Sequence, residues 1–158
     1  MYRLFGEFEC KIDAKGRLKL PAGLLRQLGA DASHSFTLNR GFEKCIMLYP
    51  KSTWDGYTAQ LQKLNPFVTK NREFVRAFYR GATPVVADSS ERINIPKSLL
   101  EHAGAQKEVI VNAYGAFIEI WDKAQYLRQL KGSNSDDLAG MAESVFGNLP
   151  DFDFGTND

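Results

Sequence analysis

Polar and apolar residues alternate along two short stretches of the chain. RLKL at 17–20 and RINI at 92–95 place apolar side chains at every second position, which is typical of half-buried β-strands. A short helix is predicted after each stretch, because Pro21 and Pro96 suit a first helical turn and a glycine follows the apolar run. Other apolar runs predict six more strands: FECKI, HSFTLNR, KCIMLYP, TPVVA, EVIVNA and AFIEIWD.

The same order of predicted elements occurs twice. Gly6–Ala30 aligns without a gap on Gly81–Ala105, and eight of the 25 positions are identical. After a shortening of three residues, CIMLYPKSTW aligns on FIEIWDKAQY. The identical pairs are Gly6/Gly81, Asp13/Asp88, Arg17/Arg92, Pro21/Pro96, Leu24/Leu99, Leu25/Leu100, Gly29/Gly104 and Ala30/Ala105. The chain is therefore a tandem duplication of one unit.

Further helices are predicted from apolar residues at helical spacing. Helices at about 52–64 and 123–131 close the two repeats, one at about 70–80 links them, and a short one follows at about 136–146. The predicted organisation is a first domain at 1–66, a linking helix at 67–80, a second domain at 81–131, and an acidic, flexible tail at 132–158.

The repeated D-x-x-x-R motif predicts a turn. Asp13 and Asp88 stand at strand ends, where an aspartate forms a turn with its own backbone, and Gly16 permits a positive φ. These three residues are predicted to be structural. For the two aspartates the reason is that a carboxylate placed at a phosphate surface would repel the phosphates. Three cations, Lys15, Arg17 and Lys19, alternate along the first copy and share one face if the turn is short. Such a cluster fits a reader of phosphates or base edges.

Composition and charge narrow the classes of partner. Apolar residues make up 44% and charged residues 25%, and no apolar run approaches the roughly 20 residues of a membrane span. The net charge is +1, but 132–158 holds six acids and no Lys or Arg, which leaves +7 on 1–131. A basic body fits a polyanion partner. On charge alone, a solvated surface with an acidic tail is the simpler interpretation.

Catalytic and metal-binding patterns are poorly represented. Cys10 and Cys45 lie amid apolar residues without CxxC spacing, which favours two buried, reduced thiols in a cytosolic protein. The two histidines, His34 and His102, provide no partner for a zinc site. There is no P-loop, GxGxxG or GxSxG motif. We therefore expect no enzymatic activity, no metal and no cofactor.

The segments GEFECKIDAKGRLKLPAGLLRQLG, CIMLYPKSTWDGY, REFVRAFYRGA, ERINIPKSLLEHAG and FIEIWDKAQY together resemble the MraZ family of bacterial transcriptional regulators. The resemblance covers roughly 1–131 in the right order, with the duplication. It implies an α+β fold that is mainly β with short helices: two tandem SpoVT/AbrB-type domains in a pseudo-twofold swapped-hairpin β-barrel. It also implies ring-shaped homo-oligomers.

The resemblance also assigns residues, position by position. In the family the arginines of D-x-x-x-R are thought to face DNA. The matching or neighbouring basic positions here are Arg17, Lys15, Lys19, Arg3 and Arg92. The second copy departs from the pattern, because Glu91 stands where the family usually has Gly and Asn94 stands at the equivalent of Lys19. We therefore expect the first hairpin to contact DNA and the second mainly to support the fold or subunit contacts.

The function implied is a repressor. Members of the family bind short tandem repeats in double-stranded DNA upstream of their own gene and repress the division and cell-wall operon. This implies a cytoplasmic, nucleoid-associated protein with no membrane partner. The alternative is a protein-interaction or scaffold module, because related domains occur in toxin-neutralising partners.

Overall fold

The computed structural model of this chain describes residues 2–30, 34–131 and 135–148. Within these ranges the backbone forms eight strands and six helices. The strands are β1 (Leu4–Lys11), β2 (Arg17–Lys19), β3 (Ser35–Arg40), β4 (Ile46–Pro50), β5 (Thr83–Val86), β6 (Arg92–Asn94), β7 (Glu108–Gly115) and β8 (Phe117–Asp122). The helices are α1 (Ala22–Leu28), α2 (Lys51–Leu61), α3 (Thr69–Tyr79), α4 (Lys97–Ala103), α5 (Lys123–Lys131) and α6 (Ser135–Gly147).

The chain divides into two compact units. The first comprises residues 1–123 and contains all eight strands, and the second comprises residues 124–158. The predicted helices at 123–131 and at about 136–146 are confirmed as α5 and α6. The segment LPDFDFGTND at 149–158, predicted as a mobile end, lies outside the described residues.

Six strands form one antiparallel sheet in the order β1-β7-β8-β4-β3-β5. This order is symmetric with respect to the two repeats: β1 and β5 are equivalent strands, as are β7 and β3, and β8 and β4. β4 pairs with β8 at the centre of the sheet. The outer pairs join the repeats to one another: β1 pairs with β7, and β5 pairs with β3. Each repeat therefore supplies the edge strand for the other, so neither repeat completes its sheet alone.

The two outermost strands do not pair with one another among the described residues, so the sheet is open. The free edge of β1 is partly occupied by a side chain of α1. The amide N–H of Phe5 donates to Oε1 of Gln27 at 3.0 Å, and Nε2 of Gln27 donates to the Phe5 carbonyl at 2.8 Å. The mainly β, α+β class is confirmed. The closed barrel that the resemblance implied is not seen as a continuous hydrogen-bonded ring.

β2 and β6 form a separate two-stranded antiparallel sheet, which we call the ribbon. Its register pairs Arg17 with Asn94, Leu18 with Ile93, and Lys19 with Arg92. Since side chains alternate along a strand, Leu18 and Ile93 share one face and the four polar residues share the other. Leu18 and Ile93 are both fully buried.

The core draws equivalent residues from both repeats. Leu24 of α1 and Leu99 of α4 are both fully buried, as are Ile46 of β4 and Ile118 of β8. Together with the apolar face of the ribbon, they belong to one cluster. The apolar face of the ribbon packs on this cluster. The polar face of the ribbon is therefore turned away from the core.

The predicted strands and helices are largely confirmed, with shifted ends. β1 begins at Leu4, not at Phe8 as predicted, because its pairing with β7 continues from Lys11 back to Leu4. α2 begins at Lys51 and ends at Leu61, three residues before its predicted end. α3 occupies Thr69–Tyr79, where the linking helix was expected.

We predict that Leu18→Ala and Ile93→Ala each lower the free energy of unfolding by about 2–5 kcal/mol, because each leaves a cavity beneath the ribbon. Urea denaturation followed by circular dichroism would measure the loss. The double variant should lose less than the sum of the two losses, because the residues are cross-strand partners. Full additivity, or single losses below about 1 kcal/mol, would contradict the packing described here.

Candidate nucleic-acid interface

The first D-x-x-x-R turn is held together by the Asp13 carboxylate. Oδ1 of Asp13 accepts the amide N–H groups of Lys15 and Arg17, both at 2.9 Å. Oδ2 accepts Nε of Arg17 at 2.8 Å. Backbone bonds from Gly16 to Asp13 and from Asp13 to Arg17 close the turn. One carboxylate therefore shapes the loop and orients the arginine.

The second turn repeats this arrangement bond for bond. Oδ1 of Asp88 accepts the N–H groups of Ser90 and Arg92 at 2.8 and 3.0 Å, and Oδ2 accepts Nε of Arg92 at 3.0 Å. The structural role predicted for Asp13 and Asp88 agrees with these contacts. The second arginine is therefore braced as the first one is, although the sequences between Asp and Arg differ.

The residue before each arginine has a left-handed backbone. Gly16 has φ of +78° and Glu91 has φ of +63°. Among the described residues, Glu91 is the one non-glycine with positive φ. This conformation costs an L-residue with a side chain about 1–2 kcal/mol. The second turn thus has the same backbone conformation as the first, although Glu91 is less suited than glycine to a positive φ.

The same hydrogen bonds lower the pKa values of both aspartates. For Asp13 the largest cause is the backbone N–H of Arg17, and for Asp88 it is the backbone N–H of Arg92. Both carboxylates are therefore ionised at neutral pH. Because the folded-state pKa is depressed, their contribution to stability is present above the ordinary carboxyl range and is lost as the pH falls through the lowered pKa.

The ribbon brings the two turns together. Its outward face carries Arg17 opposite Asn94 and Lys19 opposite Arg92. Side chains of directly paired residues lie about 5 Å apart at Cβ, so these four groups form one compact patch. Three of the four are cationic. This juxtaposition of the two turns was not predicted from the sequence.

In both arginines of the turns, only part of the guanidinium is bound to the neighbouring aspartate. Nε of Arg17 and of Arg92 is bound to its own aspartate, and both side chains remain about one-third exposed, at 32% and 35%. Within the described part of the chain, the Nη nitrogens of the two residues have no hydrogen-bonding partner. A guanidinium held in this way presents a fixed pair of donors, the geometry that binds two acceptors at once.

The other predicted basic residues lie at the border of this patch or away from it. Lys15 is exposed in the turn and is not part of β2, which begins at Arg17. The predicted alternation through Lys15 is therefore wrong, although the residue stays next to the patch. Arg3 precedes β1, whose far end leads to the first turn, so about 25 Å of strand separates it from the ribbon.

The family model of the MraZ protein, described as antitoxin-like, matches the chain twice in tandem, at residues 4–77 and 78–149. The chain belongs to the MraZ family. Among relatives named "Transcriptional regulator MraZ", the protein of Christiangramia forsetii is 42% identical over 97% of this chain and 98% of its own. That of Flavobacterium psychrophilum is 38% identical over 98% and 99%, and that of Ligilactobacillus salivarius is 40% identical over 94% and 97%.

The remaining features of this MraZ-family chain to consider are its two cysteines, possible metal-binding clusters and possible membrane spans. Cys45 is buried, as predicted, and burial, followed by the nearby Glu119 and Glu43, raises its pKa to about 12. Cys10 was predicted to be buried as well, but it is only half-buried, so that part of the prediction is wrong. No group of three or more His, Cys, Asp or Glu residues that could hold a metal occurs in the described residues. Over the same residues, no helix has the length and apolar character needed to cross a membrane.

We predict that Glu91→Gly raises the free energy of unfolding by about 1 kcal/mol, because glycine adopts the left-handed backbone of the second turn without strain. Gly16→Ala is the matched control in the first turn. Its Cβ would lie 3.2 Å from the Ile95 carbonyl oxygen, so we expect destabilisation. Thermal unfolding of both variants would measure the effects. A neutral or destabilising effect of Glu91→Gly would contradict this prediction.

Proposed function

We propose that this MraZ-family protein is a DNA-binding transcriptional regulator that reads its site with the ribbon. The observation that carries the proposal is the single outward face on which both turns place Arg17, Lys19 and Arg92. A two-stranded ribbon fits the major groove of B-DNA, and guanine presents two acceptors there that suit an arginine fork. The relatives named as transcriptional regulators support the same function.

The aspartates are compatible with this role. A carboxylate at a DNA surface would ordinarily repel phosphates, but Asp13 and Asp88 are each engaged by two backbone N–H groups and by an arginine Nε. Their charge is thereby balanced within the turn, while the Nη groups of the partly exposed arginines keep no hydrogen-bonding partner among the described residues. Exposed Lys15 at the edge of the patch is suited to a phosphate contact.

The two turns are expected to contribute unequally. Lys15 and Lys19 accompany Arg17, whereas Glu91 precedes Arg92 and adds a negative charge. We retain the prediction that the first turn dominates DNA contact. The register places Arg92 directly opposite Lys19, so we assign it a smaller contribution to the same contact in addition to a supporting role.

The finer parts of the proposal come from the family resemblance. They are tandem operator repeats upstream of the protein's own gene, repression of the division and cell-wall operon, a ring-shaped homo-oligomer, and a cytoplasmic, nucleoid-associated location. The exchange of edge strands between repeats supports the swapped-hairpin arrangement. We also keep the domain organisation 1–66, 67–80, 81–131 and 132–158 as a proposal.

A protein-interaction module is the second candidate. Large apolar side chains are exposed on the first unit, among them Phe42 at 86% and Phe67 at 88%. Aromatic side chains are enriched in contact surfaces between proteins, including those between copies of one chain. The same exposed aromatic side chains would also suit the subunit contacts of a ring that binds DNA. The interaction module is therefore favoured only if DNA binding fails.

We predict that Arg17→Ala weakens binding to the DNA upstream of the protein's own gene by about five- to a hundredfold, because one bidentate base contact is worth about 1–3 kcal/mol. Arg92→Ala should weaken it less. Lys63→Ala removes an exposed cation outside the ribbon and is the matched control, with affinity expected within about twofold. Gel retardation against excess nonspecific competitor would measure all three.

Equal losses for the two arginines, or a larger loss for Arg92→Ala, would contradict the dominance of the first turn. Arg17→Lys separates charge from geometry. It keeps the cation but loses the planar fork, so we expect loss of sequence preference with binding at low salt retained. If none of the variants differs from wild type and no shift forms at low salt, the interaction module becomes the better explanation.

We predict that affinity rises steeply with the number of operator repeats, since one ribbon makes few contacts and a ring presents several ribbons to one duplex. Repeats about 10 bp apart would present successive major grooves on the same side of the DNA. Binding to duplexes with one, two, three and four repeats, in phase and displaced by half a turn, would measure this. Equal affinity for one repeat and for four would rule out avidity.

A further inference from the structure

Asn94 is the one polar residue of the ribbon face that is not a cation. It is exposed on β6 between the buried Ile93 and Ile95, and it lies directly opposite Arg17. The geometry points to Asn94 as a residue that selects an A·T base pair next to the base read by Arg17. This inference rests on the proposed function and adds to it a specificity determinant.

The surroundings of Asn94 leave its amide accessible. Gly16 in the opposite turn has no side chain, and a Cβ built there would lie 3.6 Å from Oδ1 of Asn94. The amide therefore lies beside the turn and close to Arg17. A larger residue than Gly16 would project next to the amide and would compete with a base for the same space.

The amide also has unused hydrogen-bonding capacity. Within the described residues, no hydrogen bond from the side chain of Asn94 is found. Asn39 shows the contrast, because it is buried, its Nδ2 donates to the Phe78 carbonyl at 2.6 Å, and its Oδ1 accepts the amide N–H of Arg40. Asn39 is committed to the fold, whereas the donor and the acceptor of Asn94 are both available.

An amide with a donor and an acceptor side by side matches one base edge in particular. In the major groove adenine presents the acceptor N7 beside the donor N6, so Nδ2 can donate to N7 while Oδ1 accepts from N6. Lys19, at the equivalent place in the first repeat, is a donor only and suits the acceptors of guanine. The two ends of the ribbon are thus chemically different.

This difference gives the ribbon a direction. The Arg17–Asn94 end offers a fork for guanine and an amide for adenine, while the Lys19–Arg92 end offers donors only. A pseudo-twofold ribbon with identical ends would read a palindromic step equally in both orientations. With Asn94 at one end, the site read by a single chain is asymmetric, with adenine next to guanine at one side only.

The test is selection from duplexes with a randomised centre by wild type, Asn94→Ala and Asn94→Lys. Gln62→Ala, which removes an exposed amide beyond α2, is the matched control. We expect wild type and the control to prefer one adenine by about five- to a hundredfold over other bases. Asn94→Ala should lose this preference and keep the guanine preference, and Asn94→Lys should shift it toward guanine. Because Asn94 is exposed, thermal unfolding of the variants should match wild type.

A chemical substitution in the DNA gives a second readout. Replacing the selected adenine by 7-deazaadenine removes the N7 acceptor, so it should weaken wild type and leave Asn94→Ala unaffected. Asn94→Ala that keeps the adenine preference, or that weakens all sequences equally as a phosphate contact would, overturns the inference while the proposed function stands. If wild type enriches no sequence at all, sequence-specific reading fails, and this inference fails with it.

Discussion

The structure of the candidate site depends on the pairing of β2 with β6. A two-stranded sheet is marginally stable on its own, and this one is held because Leu18 and Ile93 are buried in the shared core. Two further backbone bonds extend the pairing at both ends, from Leu20 to the Glu91 carbonyl and from Ile95 to the Gly16 carbonyl, each at 2.9 Å. Each turn is therefore positioned by the other repeat, and a single repeat could not present this face.

The contact that folds each turn is also the contact that aims its arginine. Asp13 uses one oxygen on the backbone and the other on Nε of Arg17, so turn geometry and side-chain orientation are set together. The guanidinium gives up little freedom on binding, because the fold has already restricted it. An acid is therefore compatible with the proposed DNA contact, because its charge is matched within the turn and only the Nη nitrogens of the arginine remain to bind.

The two repeats share the geometry of their turns and differ in part of the outward face of the ribbon. Both turns keep the same bonds and a left-handed backbone at the equivalent position, although that position holds Gly16 in one turn and Glu91 in the other. On the outward face Lys19 faces Arg92 and Asn94 faces Arg17, so the pseudo-twofold backbone carries an asymmetric set of side chains. The buried face contributes to stability through packing, whereas the residues of the outward face are not held by the core and can vary without loss of packing.

The sequence by itself determined the local structure: the duplication, the order of strands and helices, the aspartate turns and most helix bounds. These follow from period, proline, glycine and aspartate signals that act within a few residues. Only the tertiary structure decided that β1 starts at Leu4, that the sheet stays open, that Arg3 lies far from the ribbon, and that Arg92 lies opposite Lys19. The physical reason is that β2 and β6 pair although Leu18 and Ile93 are 75 positions apart in the sequence, and the register of such a pair depends on the shared core rather than on the local pattern of either strand.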